Sequence, residues 1–162
     1  MLDRLRSLLE SHLGGASERA DPAARQAAYQ LAAAALLVEM TRADFEVHPK
    51  ERVAVVAALR TAFDLSEAEA ASLMAEAEAE ADGATSLYEF TALINEHLTP
   101  PQKYRLVELL WRVAYADGEI DKYEDHLVRK VADLIYVRHR EFIRAKHDAA
   151  SWRRSRDGSS VL

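Results

Sequence analysis

Residues 111–126 read WRVAYADGEIDKYEDH and place four carboxylates, Asp117, Glu119, Asp121 and Glu124, within eight positions. Carboxylates held that close repel one another, and each then favours a proton or a cation. Oxygen ligands on a short corner suit a hard divalent ion such as Ca²⁺ or Mg²⁺. A plainer account serves the same residues. Asp121 caps the helix that follows, Glu124 three positions on returns a hydrogen bond, and acids in a first turn suit the positive end of the helix dipole. Capping explains Asp44 and Asp117 least well. Each follows the C-terminal end of a long helical pattern, where a carboxylate faces the negative dipole end at roughly 0.3–1 kcal/mol. Both accounts stay open. The spacing does exclude an EF-hand: with Asp117 as position 1, the glycine falls at 2 instead of 6 and the last acid at 8 instead of 12.

The corner occurs twice. Shifted by 73 positions, Leu36, Leu37, Ala43, Asp44, Glu46 and Glu51 coincide with Leu109, Leu110, Ala116, Asp117, Glu119 and Glu124, and Val47 falls on Ile120. The first corner has Phe45 for Gly118 and His48 for Asp121, so a cation site there is expected to be weaker or differently shaped. The repeating unit reads as a long helix, a tight acidic corner and a second helix. Two such units, Tyr29 to about Ala81 and Lys103 to about Ala149, are expected to form pseudo-symmetric halves joined by a helix over Ser86–Leu98.

Charge is unevenly distributed around a net value of −6. Residues 61–102 contain no Lys or Arg but nine acids: Asp64, Glu67, Glu69, Glu76, Glu78, Glu80, Asp82, Glu89 and Glu96. Within SEAEAASLMAEAEAEAD, Ala70, Leu73, Met74, Ala77 and Ala81 give an apolar face. Glu69, Glu76 and Glu80 gather on the other side. That side is either a solvated face or a docking face for a basic partner or a cation. The C-terminal end is basic, with Arg138, Arg140, Arg144, Lys146, Arg153, Arg154 and Arg156. An acidic middle argues against nucleic acid as the main ligand.

The elements that position these residues read as helices throughout. Leu2, Leu5, Leu8, Leu9 and Leu13 form a stripe at helical spacing, followed by the linker GGASERAD. Asp21-Pro22 is an N-cap with Pro at the first helical position, and Pro49 restarts the chain as a helix to about Phe63. Ser66 with Glu69, Ser86 with Glu89 and Thr99 with Gln102 match the capping box. The reading is an all-α, compact bundle of about seven to eight helices with an internal pseudo-two-fold repeat. Residues 1–20 form an amphipathic helix and linker, 21–150 the helical domain, and 151–162 a flexible tail with Trp152 exposed. Trp111 is assigned to the core.

Several function classes find no support. The chain has no cysteine, which removes disulfides, zinc-thiolate sites and a thiol nucleophile. No Glu-x-x-His pair supports a di-iron bundle, no His-x-x-x-His pair a zinc protease, and no Gly-rich loop a phosphate site. The six histidines are scattered, His97 and His126 among them. No stretch has the ~20 apolar residues of a membrane span, and the N-terminus lacks an uninterrupted apolar signal region. The expectation is a non-enzymatic, cytoplasmic protein with no required cofactor.

The duplicated RADFEVHPKE and YADGEIDKYE, preceded by LLVEM and LLWRV in an Ala/Leu-rich helical chain, resemble the TerB family of tellurite-resistance proteins over about Ala24 to Lys146. Related domains occur in membrane-anchored J-domain co-chaperones. The resemblance implies a helical bundle and a binding or scaffold role in stress-response assemblies, alongside protein partners that include a membrane-associated complex. It also implies acidic residues that bind divalent cations, which carry over to Asp44, Glu46 and Glu51 and to Asp117, Glu119, Asp121 and Glu124. It brings no catalytic reaction. The alternatives are a co-chaperone-type interaction domain and a metal-dependent enzyme.

Overall fold

Local chemistry sets where the helices start. Asp21 accepts a hydrogen bond at Oδ1 from the Ala23 N–H (3.4 Å) ahead of Pro22. Ser66 and Glu69 form a reciprocal capping box: the Ser66 N–H donates to Glu69 Oε1 at 2.9 Å and the Glu69 N–H to Ser66 Oγ at 3.1 Å. Thr99 and Gln102 repeat the arrangement, at 2.9 and 3.4 Å. Each box satisfies two of the amide donors that a helix start leaves without a partner.

The computed structural model describes residues 3–12, 21–44, 49–83, 87–116 and 122–160, with side chains described for 5–7, 9–10, 21–39, 53–82, 87–116 and 125–155. Its helices are α1 (Asp3–His12), α2 (Pro22–Asp44), α3 (Pro49–Phe63), α4 (Glu67–Gly83), α5 (Leu87–His97), α6 (Pro100–Ala116), α7 (Lys122–Leu134) and α8 (His139–Ser160). Among the described residues there is no strand. The all-α expectation holds. The expected Ser86–Glu89 box lies outside the described residues at Ser86.

Two helices end alike. After α3, Asp64 takes a positive φ of 55° and the Leu65 N–H returns to the Arg60 carbonyl at 3.0 Å. After α7, Tyr136 takes a φ of 61° and the Val137 N–H returns to the Ala132 carbonyl at 2.9 Å. Both are Schellman ends, a motif that usually places Gly at the positive-φ position.

The core forms around α2 and α6. On α2 the run Leu31 to Leu36 is at most 1% exposed. A helix buried on every side has no polar stripe, because it has no solvent face. Its alanines let neighbours approach closely, and α4 meets α2 with Ala70, Met74, Ala77 and Ala81, all buried. On α6, Leu106, Val107, Leu110 and Trp111 are buried, and α8 brings Phe142, Ala145 and Ala149 against that helix. The rings of Trp111 and Phe142 lie 5.3 Å apart at 52°, a tilted contact.

One sequence expectation changes. The terminal stretch expected to be a flexible tail continues α8 through Ser160, and Trp152 is half-buried against the core, with the Arg112 guanidinium 5.1 Å from its ring. That contact turns an isolated aromatic into an anchor for the last turns. The N-terminal helix belongs to the bundle: Leu5 and Leu9 are 0% exposed, and α1 packs on α2 and α5. The rotation expected to relate the two halves is not established. The pairs α2–α4 and α6–α8 correspond, but α3 lies against α6 while α7 packs on α6 and α5.

Candidate functional site

The seam between α2 and α4 opens into a groove of about 470 Å³. Residues 69, 73 and 76 are spaced by four and three, so Leu73, expected on the face opposite Glu69 and Glu76, shares one face of α4 with them. That face borders the buried row formed by Ala70, Met74 and Ala77. Leu73 and Ala68 from α4, Ala27 and Leu31 from α2, and Leu65 from the α3–α4 link give the groove apolar walls. Gln30, Ser72, Glu69 and Glu76 supply the polar groups. Leu65 reaches this position because the Schellman end at Asp64 turns the chain sharply.

Glu69 serves two purposes. Its hydrogen bond from the Ser66 backbone N–H, followed by the side-chain bond to Ser66, holds its carboxyl below the usual carboxylate range. The cap therefore keeps Glu69 charged to lower pH. Glu76 lies further along the same wall. Glu80, expected beside them on a docking face, is only 6% exposed. Three residues beyond Ala77 and one before Ala81, it lies where the bundle covers α4, so it is unavailable to a partner.

The corners fall elsewhere. Glu46, Asp117, Glu119 and Asp121 lie outside the described residues, as do the side chains of Asp44, Glu51 and Glu124. The described ends place both corners at helix junctions, between α2 and α3 and between α6 and α7. Among the described residues, no group of three or more His, Cys, Asp or Glu side chains is placed to hold a metal ion. Among them, too, no helix is long and apolar enough to cross a membrane.

A second constellation escaped the sequence reading. Lys146 on α8 places Nζ 2.7 Å from Asp125 Oδ2 on α7 and 5.0 Å from the centroid of the Trp111 ring. The hydrogen bond from Lys146 holds the Asp125 carboxyl below its ordinary range, against the opposing effect of burial. Arg144 stacks over Tyr104 at 4.7 Å and donates from Nε to its hydroxyl at 3.1 Å, and that hydroxyl donates to Asp148. Burial, then the bond to Asp148, raises the Tyr104 phenol. Part of the basic C-terminal charge is thus paired within the chain, Arg144 at the surface and Lys146 in a partly buried position. The available signal was Tyr104, Trp111 and Tyr115 at helical spacing, combined with the Arg and Lys residues of α8.

These features define an all-helical domain that carries an apolar groove with an acidic rim between α2 and α4. Residues 30–147 match the family model of the tellurite resistance protein TerB, and the chain belongs to the TerB family. Searches of curated proteins and of solved structures returned no match.

Proposed function

We propose that this TerB-family protein is a non-enzymatic binding module whose partner docks in the α2–α4 groove. The observation that carries the reading is the pairing of apolar walls, Leu31, Leu65 and Leu73, with an acidic rim, Glu69 and Glu76. Apolar surface supplies affinity and the rim charge selects a basic partner. A role in a stress-response assembly is the corresponding biological setting. Glu69→Gln with Glu76→Lys tests the reading, because Gln at the third position preserves the capping bond while removing charge. Recovery of the native partner in pull-downs should fall without a drop in melting temperature. Unchanged recovery would reduce the groove to a packing seam.

The cation reading of the corners is a second proposal, resting on four carboxylates in eight positions at Asp117–Glu124. It assigns a hard divalent ion, Ca²⁺ or Mg²⁺, to that corner first.

A further inference from the structure

Three large apolar side chains stand exposed among the described residues: Val53 at 69%, Tyr88 at 62% and Tyr136 at 79%. Tyr136 is the most exposed and the least expected. Its φ of 61° ends α7 in a conformation that favours Gly or Asn, so a tyrosine contributes nothing to the turn itself. Lys103 Nζ lies 5.8 Å from the ring centroid, and the exposed Arg138 and Arg140 follow two and four positions on, with the exposed Asp133 three positions before. Tyr88, by contrast, precedes Glu89, and Val53 has no ring.

The α2–α4 groove is complementary to this knob. Its apolar walls suit a ring, while Gln30 and Ser72 offer partners to a phenol hydroxyl. The rim acids Glu69 and Glu76 match the cations around Tyr136. Charge over the whole chain is segregated in the same sense. Residues 61–102 hold nine acids and no Lys or Arg, whereas 122–160 hold ten Lys and Arg against six acids. At 79% exposure, Tyr136 does not occupy the groove of its own chain.

We propose that the groove receives Tyr136 of a second copy of this chain, with Glu69 and Glu76 facing Lys103, Arg138 and Arg140 of that copy. The inference rests on the groove being a docking surface and names its occupant. Knob and groove are different patches, so the contact is heterologous and propagates head to tail unless its rotation closes a ring. Opposite charges across it make association sensitive to salt.

Sedimentation equilibrium of the full chain tests this. The average mass of the wild type should rise with concentration at low salt, and the rise should shrink in about 0.5 M NaCl. Tyr136→Asn, which keeps the positive φ, should weaken association by about tenfold or more without lowering the melting temperature. Glu76→Lys and the pair Arg138→Glu/Arg140→Glu should each weaken self-association, and mixing the two variants should restore a complex. A wild type that stays monomeric at about 1 mM in low salt overturns the proposal, as does Tyr136→Asn that associates as tightly as wild type. Binding of a monomeric wild type to anionic phospholipid vesicles, lost in Tyr136→Asn, would also overturn it and assign the knob to a membrane surface. Partner recovery with Glu69→Gln/Glu76→Lys separates the two readings. If it falls while the wild type is monomeric, the second copy is the wrong occupant and the docking groove stands.

Discussion

The Nζ of Lys146 lies 2.7 Å from Oδ2 of Asp125, tying α8 to α7 across 21 residues of chain. The Asp125 carboxyl is held below its usual range, chiefly by this hydrogen bond. A depressed carboxyl contributes stability that is present above its unfolded value, about 3.9, and lost as pH falls through the folded value. A double-mutant cycle with Asp125→Asn and Lys146→Met should therefore give a coupling of about 1 kcal/mol at neutral pH. Urea denaturation should find that coupling shrinking as pH falls through the lowered carboxyl value. Coupling that does not change with pH would mean that packing on Trp111, and not charge, links the pair.

The two observed capping boxes differ in one testable respect. Gln102 does not titrate, so Thr99→Ala should cost about 1 kcal/mol at neutral pH and again at about pH 3. Glu69 does titrate, with its carboxyl lowered by the bonds to Ser66. The destabilisation caused by Glu69→Ala should be full above the ordinary carboxylate range and should shrink as pH falls through the lowered value. Thermal melts of both variants across pH decide the matter. A parallel pH response would show that Glu69 contributes no charge-dependent capping.

Asp64 and Tyr136 both occupy the positive-φ position of a Schellman end. Asp tolerates that conformation better than a bulky aromatic does. Tyr136→Asn should stabilise the fold by about 1 kcal/mol, a rise of a few degrees in melting temperature, and Asp64→Gly by less. Calorimetry that reverses this order would show that the Tyr136 ring gains more from Lys103 than its backbone loses.

The corner at Asp117–Glu124 has its own decisive pair of substitutions. If it binds a cation, Ca²⁺ or Mg²⁺ at millimolar concentration should raise the melting temperature of the wild type, because the ion binds only the folded chain. Asp117→Ala should abolish that rise. Asp121→Ala should cost about 0.5–2 kcal/mol with or without metal if the residue caps α7. A wild type that is indifferent to every divalent ion leaves these acids as caps.

Much of the fold was legible because helix starts and stops are local events. Asp21-Pro22, Ser66 with Glu69 and Thr99 with Gln102 each satisfy amides within a few residues, and each marks an observed helix start. Pro49 opens α3, and the helix ends at Phe63 as the spacing predicts. The duplicated corner motif was likewise a property of the chain alone, and it led to the TerB family. The two helix ends at Asp64 and Tyr136 were not foreseen, since neither residue is the glycine that usually marks such a stop.

The amino-acid order determined which residues are helical, where most helices begin, and that charge divides into an acidic middle and a basic end. Tertiary structure alone decided which helical faces meet. A helical repeat gives the angle between Glu76 and Glu80, but only the packed bundle buries Glu80 and leaves Glu76 lining a groove between α2 and α4. The same holds for Trp152, which becomes an anchor because Arg112 of α6 lies beside it, and for Lys146, whose two partners come from different helices. Capping acts through hydrogen bonds over three or four residues and is written locally. Burial and ion pairing depend on contacts between distant segments, and those exist only once the helices have packed.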